Sequence, residues 1–232
     1  DGSDGNWDFY PQLADFEPVI SSADLALCHL ETPLAELGVD YQGYPVFNSP
    51  PQITDAITKL GFDMCSTASN HSLDQGFSGL KRTIETLDTA GIPHTGTAVS
   101  EADASAPLII DVQTENGNVK VGILSYTYGF NGFKRDADKL WSANLIDPAT
   151  IIAEAKLARS QGAEIVVAKM HWGSEYANMP NDFQESVAKE LADSGLIDLI
   201  DGSHSHSVQP LTQIGNSVIA YGHGNFVAAQ RE

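Results

Sequence analysis

The stretch FQESVAKELADSGLIDLIDGSHSHS, residues 183–207, reads as a helix closing at Gly195, a short buried strand, and a polar end bearing two histidines. On extended chain residues i and i+2 point the same way, so His204 and His206 are expected to aim at a common point. Two converging imidazoles suggest a metal.

The same punctuation recurs along the chain. QITDAITKLG (52–61) precedes FDMCSTASNH (62–71), and IIAEAKLARSQG (151–162) precedes AEIVVAKMHWG (163–173). Ile53, Ala56, Ile57 and Leu60 keep helical spacing, with Gly61 suited to the position beyond the helix end. A further helix, GLKRTIETLDTAG (79–91), places Leu80, Ile84 and Leu87 on one face and leads into IPHTG (92–96). Two hairpins are expected, around Asn116-Gly117-Asn118 and around Gly215-Asn216. Residues 127–144, TYGFNGFKRDADKLWSAN, have no clean period and read as a long surface loop able to overhang a site. These elements make an α/β fold with parallel, helix-covered strands and antiparallel ribbons.

Ligands in such sheets bind beyond the carboxyl ends of strands. LALCHLE (25–31) delivers Glu31 there, FDMCSTASNH delivers Asn70 and His71, IVVAKMHWG delivers His171, and the opening stretch delivers His204 and His206. Taken singly, each has an ordinary structural explanation. Together, Glu31, Asn70, His171, His204 and His206 supply the mixed carboxylate, amide and imidazole set that a two-metal site requires. Of the remaining histidines, His94 reads as structural, His223 as near the site mouth, and His29, two residues before Glu31, as a supporting or ligating group.

The bulk numbers narrow the function classes. A chain of 232 residues, 42% hydrophobic, suffices for one sizeable domain. Twelve Lys and Arg against 31 Asp and Glu give a net charge of -19, which repels nucleic acid and anionic membranes. The longest apolar runs are strand length, too short to span a bilayer. Cys28 and Cys65 each fall within an expected strand and are read as buried free thiols in preference to a disulfide.

The motifs HLETP, SNHSLDQG, HWGSEY and GSHSHSVQP, with VIAYGHGNFV near the end, resemble the capsule synthesis proteins of the CapA and poly-γ-glutamate type, relatives of calcineurin-like metallophosphoesterases. The resemblance runs through nearly the whole chain. It implies a four-layer α/β/β/α sandwich with two mixed sheets flanked by helices, in a single domain over 1–232. It implies two divalent ions, of manganese, iron or zinc, with Glu31 bridging them and Asn70, His171, His204 and His206 as further ligands. His71 matches the histidine that protonates the leaving oxygen of a phosphoester. Substrate contacts are expected at His223, Asn225 and Glu175. The family also begins with a strand ending in a Gly-Asp motif; none precedes residue 25 here, and Asp4 is a poor substitute, so the domain is expected to lack that strand.

The function so implied is metal-assisted hydrolysis tied to capsule or poly-γ-glutamate production. The alternative is a non-catalytic accessory for polymer export, assembly or binding with a degenerate metal site. Expected partners are other polymer synthesis proteins and an anionic polymer or phosphoester, and the expected location is the cell surface, with anchoring through an N-terminal segment outside this sequence.

Overall fold

The apolar runs that follow helix-ending glycines are β-strands in the computed structural model, which describes residues 7–228. The chain forms two compact units. Among the described residues, the first comprises 7–106 with Val112–Asn118 and Gly129–Asn144; the second comprises Pro107–Asp111, Val119–Tyr128 and 145–228. Asp4 lies outside the described residues.

In the first unit the order is α1 (Glu17–Ile20), β1 (Leu27–His29), α2 (Ile53–Leu60), β2 (Met64–Ser66), α3 (Gly76–Thr89), β3 (His94–Thr95) and α4 (Glu101–Ala104). Gly61 ends α2 at φ 90°, a left-handed conformation that glycine adopts without a Cβ clash, and turns the chain into β2. Ala56, Ile57 and Leu60 of α2 and Leu80, Ile84 and Leu87 of α3 are buried. Ile57 and Leu87 meet Cys65 and Ile92 in one apolar cluster, against which Cys28 and Ile53 pack. The three strands lie in the order β1-β2-β3, and both pairings are parallel. This sheet is therefore not mixed, because each of its connections contains a helix that returns the chain to the same end.

The two cysteines correct the sequence reading: they form a disulfide. The β1–β2 register sets Cys28 directly opposite Cys65, with Cα atoms 4.5 Å apart, inside the range a disulfide spans. Spacing of 37 residues carries no sign of that pairing.

The second sheet is built by β4 (Leu108–Thr114), β5 (Gly117–Thr127), β6 (Ile165–His171), β7 (Leu199–Ser203), β8 (Leu211–Ile214) and β9 (Ser217–Ala220), in the order β4-β5-β6-β7-β9-β8. The β5-β6-β7-β9 pairings are parallel and β8 closes the edge antiparallel, as the hairpin at Gly215-Asn216 requires. Helix α5 (Pro148–Ser160) starts on Asp147, whose side chain accepts from the Thr150 N–H, with Pro148 at its first position. Helix α6 (Asp182–Asp193) starts on a reciprocal capping box between Asn181 and Gln184. Ile151, Ala155 and Ala158 of α5 and Val187, Ala188 and Leu191 of α6 pack with Val166, Ala168, Met170, Ile200 and Ile219 of the sheet. Small residues on α5 permit a close approach, so helix and sheet seal the apolar side while the strand ends stay polar.

The segment after β5 lacks helix and strand, as expected, but it is not purely surface chain. Phe130 and Ala143 are buried, Ala98 N–H donates to the Ser142 carbonyl at 2.9 Å, and Asn144 N–H donates to the Gly96 carbonyl at 2.9 Å. Its aromatic and alanine positions tie it into the first unit despite the absence of a period.

Candidate metal centre

In the second unit, β6 ends at His171, which is 1% exposed. Ser203 stands opposite it on β7, with Oγ 2.9 Å from His171 Nδ1. Beyond Ser203 the chain leaves extended geometry: His204 has φ 89° and His206 φ 54°. The reading that these two converge as alternate residues of a strand is thus corrected. They are brought together by a turn in which Tyr176 N–H donates to the Ser205 carbonyl at 2.7 Å and Ser205 Oγ donates to the Ser207 carbonyl at 2.8 Å. Gly202, on β7 just before the turn, permits the close approach of the Tyr221 carbonyl and the Trp172 indole nitrogen, with which a Cβ there would collide.

The result is three neighbouring imidazoles. Ring centroids of His171 and His204 lie 4.8 Å apart, and those of His204 and His206 lie 6.1 Å apart. Tyr128 packs on His204 at 4.6 Å and Tyr176 stacks on His206 at 5.6 Å. His206 Nδ1 donates to Asn225 Oδ1 at 2.7 Å, which leaves the Nε2 lone pair of the neutral ring for a ligand. Glu175 Oε1 lies 4.0 Å from that Nε2. Asn225 and Glu175, both expected at the substrate, thus lie beside the same ring, that of His206. Three imidazoles with Nδ1 edges occupied at His171 and His206 fit a borderline divalent ion of the manganese, iron or zinc kind.

In the first unit, Glu31 follows β1 and its carbonyl accepts from Ser69 Oγ at 2.5 Å; the same Oγ accepts from His71 N–H at 2.9 Å. One serine thus ties the Glu31 segment to the turn that bears Asn70 and His71. Asn70 is buried, with Nδ2 3.2 Å from Asn131 Oδ1. His71 Nδ1 lies 2.7 Å from Asp74 Oδ2, and Asp74 Oδ2 also accepts from Phe47 N–H at 2.7 Å. The Phe47 ring meets the His71 ring edge-on at 4.6 Å. His71 is therefore held on its Nδ1 side by a buried carboxylate and on its face by an aromatic, with Nε2 as its other polar edge. His29 Nδ1 is 2.8 Å from Ser66 Oγ, a supporting position beside the disulfide.

Sequence reasoning missed Asp74, although SNHSLDQG contains it three residues after His71. It also missed Lys169 and Asp201, an ion pair buried inside strands, whose signal is a charge within each of two apolar runs, IVVAKMH and LIDLIDG. His223 bonds Asp201 rather than any of the three imidazoles. His94, expected to be structural, lies on β3 with Nε2 3.1 Å from Asp88 Oδ1.

The family model described as "Bacterial capsule synthesis protein PGA_cap" matches residues 2–230. The PGA biosynthesis protein CapA of Bacillus subtilis is 34% identical over 174 residues, covering 74% of this chain and 44% of the relative. A probable polyglutamine synthesis accessory protein of Mycobacterium tuberculosis is 30% identical over 233 residues, covering 97% of this chain and 60% of the relative. The chain thus spans about half the length of these curated relatives. Among solved structures, sulfate thiohydrolase SoxB of Thermus thermophilus aligns over 92% of this chain and 36% of its own, with TM-score 0.53 and 18% identity. A putative 5′-nucleotidase of Staphylococcus aureus aligns over 74% and 34%, with TM-score 0.51 and 20% identity. At these identities the likeness is one of fold, a metallophosphoesterase-like α/β architecture with two sheets flanked by helices.

Proposed function

From the premise that this chain belongs to the bacterial capsule synthesis protein family, we propose that it is a metal-dependent, phosphoesterase-like hydrolase acting in capsule or poly-γ-glutamate production at the cell surface. The observation that carries the reading is the convergence of His171, His204 and His206, from one strand end and one turn, with His206 Nε2 presented by Asn225. These three are assigned to hold a divalent ion in the second unit, while Glu31 and Asn70 of the first unit keep the ligand roles that the resemblance implies. Such ions, when bound, polarise a phosphoryl oxygen and acidify water.

The chain's own residues supply the rest. Asp74 accepts from the Nδ1 side of His71, so Nε2 is the remaining polar edge, and it carries a proton for a departing alkoxide only when the ring is doubly protonated. Phe47 keeps the ring from rotating away from that position. The Cys28–Cys65 disulfide supports an oxidising compartment, consistent with a surface role. Among the described residues no helix is long and apolar enough to cross a membrane. An acidic polymer or phosphoester as substrate, and other polymer synthesis proteins as partners, belong to the same proposal.

The test is elemental analysis of protein purified without chelator, followed by a phosphomonoester and phosphodiester screen, with His206→Ala in parallel. Retained metal and turnover in the parent, both lost in His206→Ala, are expected. A metal-replete parent that hydrolyses no phosphoester yet binds poly-γ-glutamate would favour the accessory role that the name of the mycobacterial relative describes.

A further inference from the structure

The second sheet carries a polar cluster that the metal ligands do not use. Lys169 lies two residues before His171 on β6, and Asp201 two before Ser203 on β7, so the four side chains share one face of the sheet. The register sets Lys169 opposite Asp201 and His171 opposite Ser203. Lys169 and Asp201 are 6% and 7% exposed and form an ion pair through Asp201 Oδ2. The other carboxylate oxygen, Oδ1, bonds His223 Nε2, whose side chain is 52% exposed.

Burying an ammonium and a carboxylate carries a large desolvation cost, and two apolar side chains of similar volume would join the strands as well. The pair is therefore a poor strand adhesive but a rigid mount for its third member. Asp201 occupies Nε2 and leaves Nδ1 as the polar edge of a half-exposed ring. The mount also sits beside the proposed chemistry. His223 bridges Val208 across the chain, and Asn225, two residues on, holds His206.

We propose that Lys169 and Asp201 position His223 as an oxyanion-binding group, for a phosphate or a carboxylate of the substrate, next to the imidazole ligands. The proposed hydrolase activity decides only which molecule bears that oxyanion; the binding itself needs neither metal nor turnover.

The experiment is histidine ring ¹⁵N NMR of chelator-treated and of metal-loaded protein, titrated separately with inorganic phosphate and with tri-γ-glutamate. Saturable shifts of the His223 nitrogens are expected with at least one probe in both metal states, and His223→Gln is expected to weaken that binding about tenfold or more, the scale of one charge-assisted hydrogen bond. A response to phosphate alone assigns the group to a phosphoester, and a response to tri-γ-glutamate alone assigns it to the polymer's carboxylates. Unmoved His223 signals with both probes, or undiminished binding in His223→Gln, overturns the proposal. Asp201→Asn, which takes the carboxylate away from His223 Nε2, is expected to weaken probe binding as well, and undiminished binding in a folded Asp201→Asn overturns the positioning role. Should that variant not fold, the half-exposed His223→Gln decides alone. Because the chelated arm is read without metal, failure of the hydrolase reading leaves its result intact.

Discussion

Asp74 Oδ2 lies 2.7 Å from His71 Nδ1, so one carboxylate, closed onto the ring by a turn, sets the orientation of the imidazole proposed to give up a proton. Asp74→Asn is expected to lower kcat by about 100-fold with little change in KM, the loss typical when a general acid is mispositioned, and steady-state kinetics with matched circular dichroism check it. His204 and His206 were legible as a pair, but for a reason that fails, since positive φ at both residues rather than strand alternation brings them together. Glu154 offers a second residue-scale test. Burial holds its carboxyl above the ordinary value of 4.5, partly opposed by the hydrogen bond from Tyr126. A raised carboxyl favours the folded state below the unfolded value and loses that contribution as pH rises through the folded one. Glu154→Gln is thus expected to flatten the dependence of Tm on pH from about 4.5 upward, as calorimetry across that range will show.

Helices and their glycine stops were legible as elements because their signals are local: spacing for α2 and α3, the Asn181–Gln184 box for α6. Strand pairing was not, since which strands adjoin depends on contacts across tens of residues, and the disulfide was misread for that reason. Cys28→Ser with Cys65→Ser is expected to destabilise the protein by about 3–4 kcal/mol, the chain-entropy value for a loop of this length, measured by urea unfolding. The turn after β7 is equally demanding. Gly202→Ala drives a methyl into the Tyr221 carbonyl and is expected to cost about 1–3 kcal/mol or more, with loss of bound metal accompanying the lower unfolding midpoint.

For the whole molecule, composition and alternation of helix and strand were enough to place the fold class, because an α/β core imposes its rhythm on the entire chain. The excess of acids, 31 against 12 bases, adds a property no single contact contains. Metal and screening are expected to act in the same direction on it. Tm is expected to rise between low and physiological salt as self-repulsion is screened, and divalent ion at about 100 times its Kd is expected to add about 2.7 kcal/mol, both read by thermal scans with and without chelator. The first unit takes in Gly129–Asn144, far beyond its main stretch ending at Ala106. During synthesis that unit therefore lacks part of its own body until residue 144 has left the ribosome, by which time β4 and β5 of the other sheet have already been made.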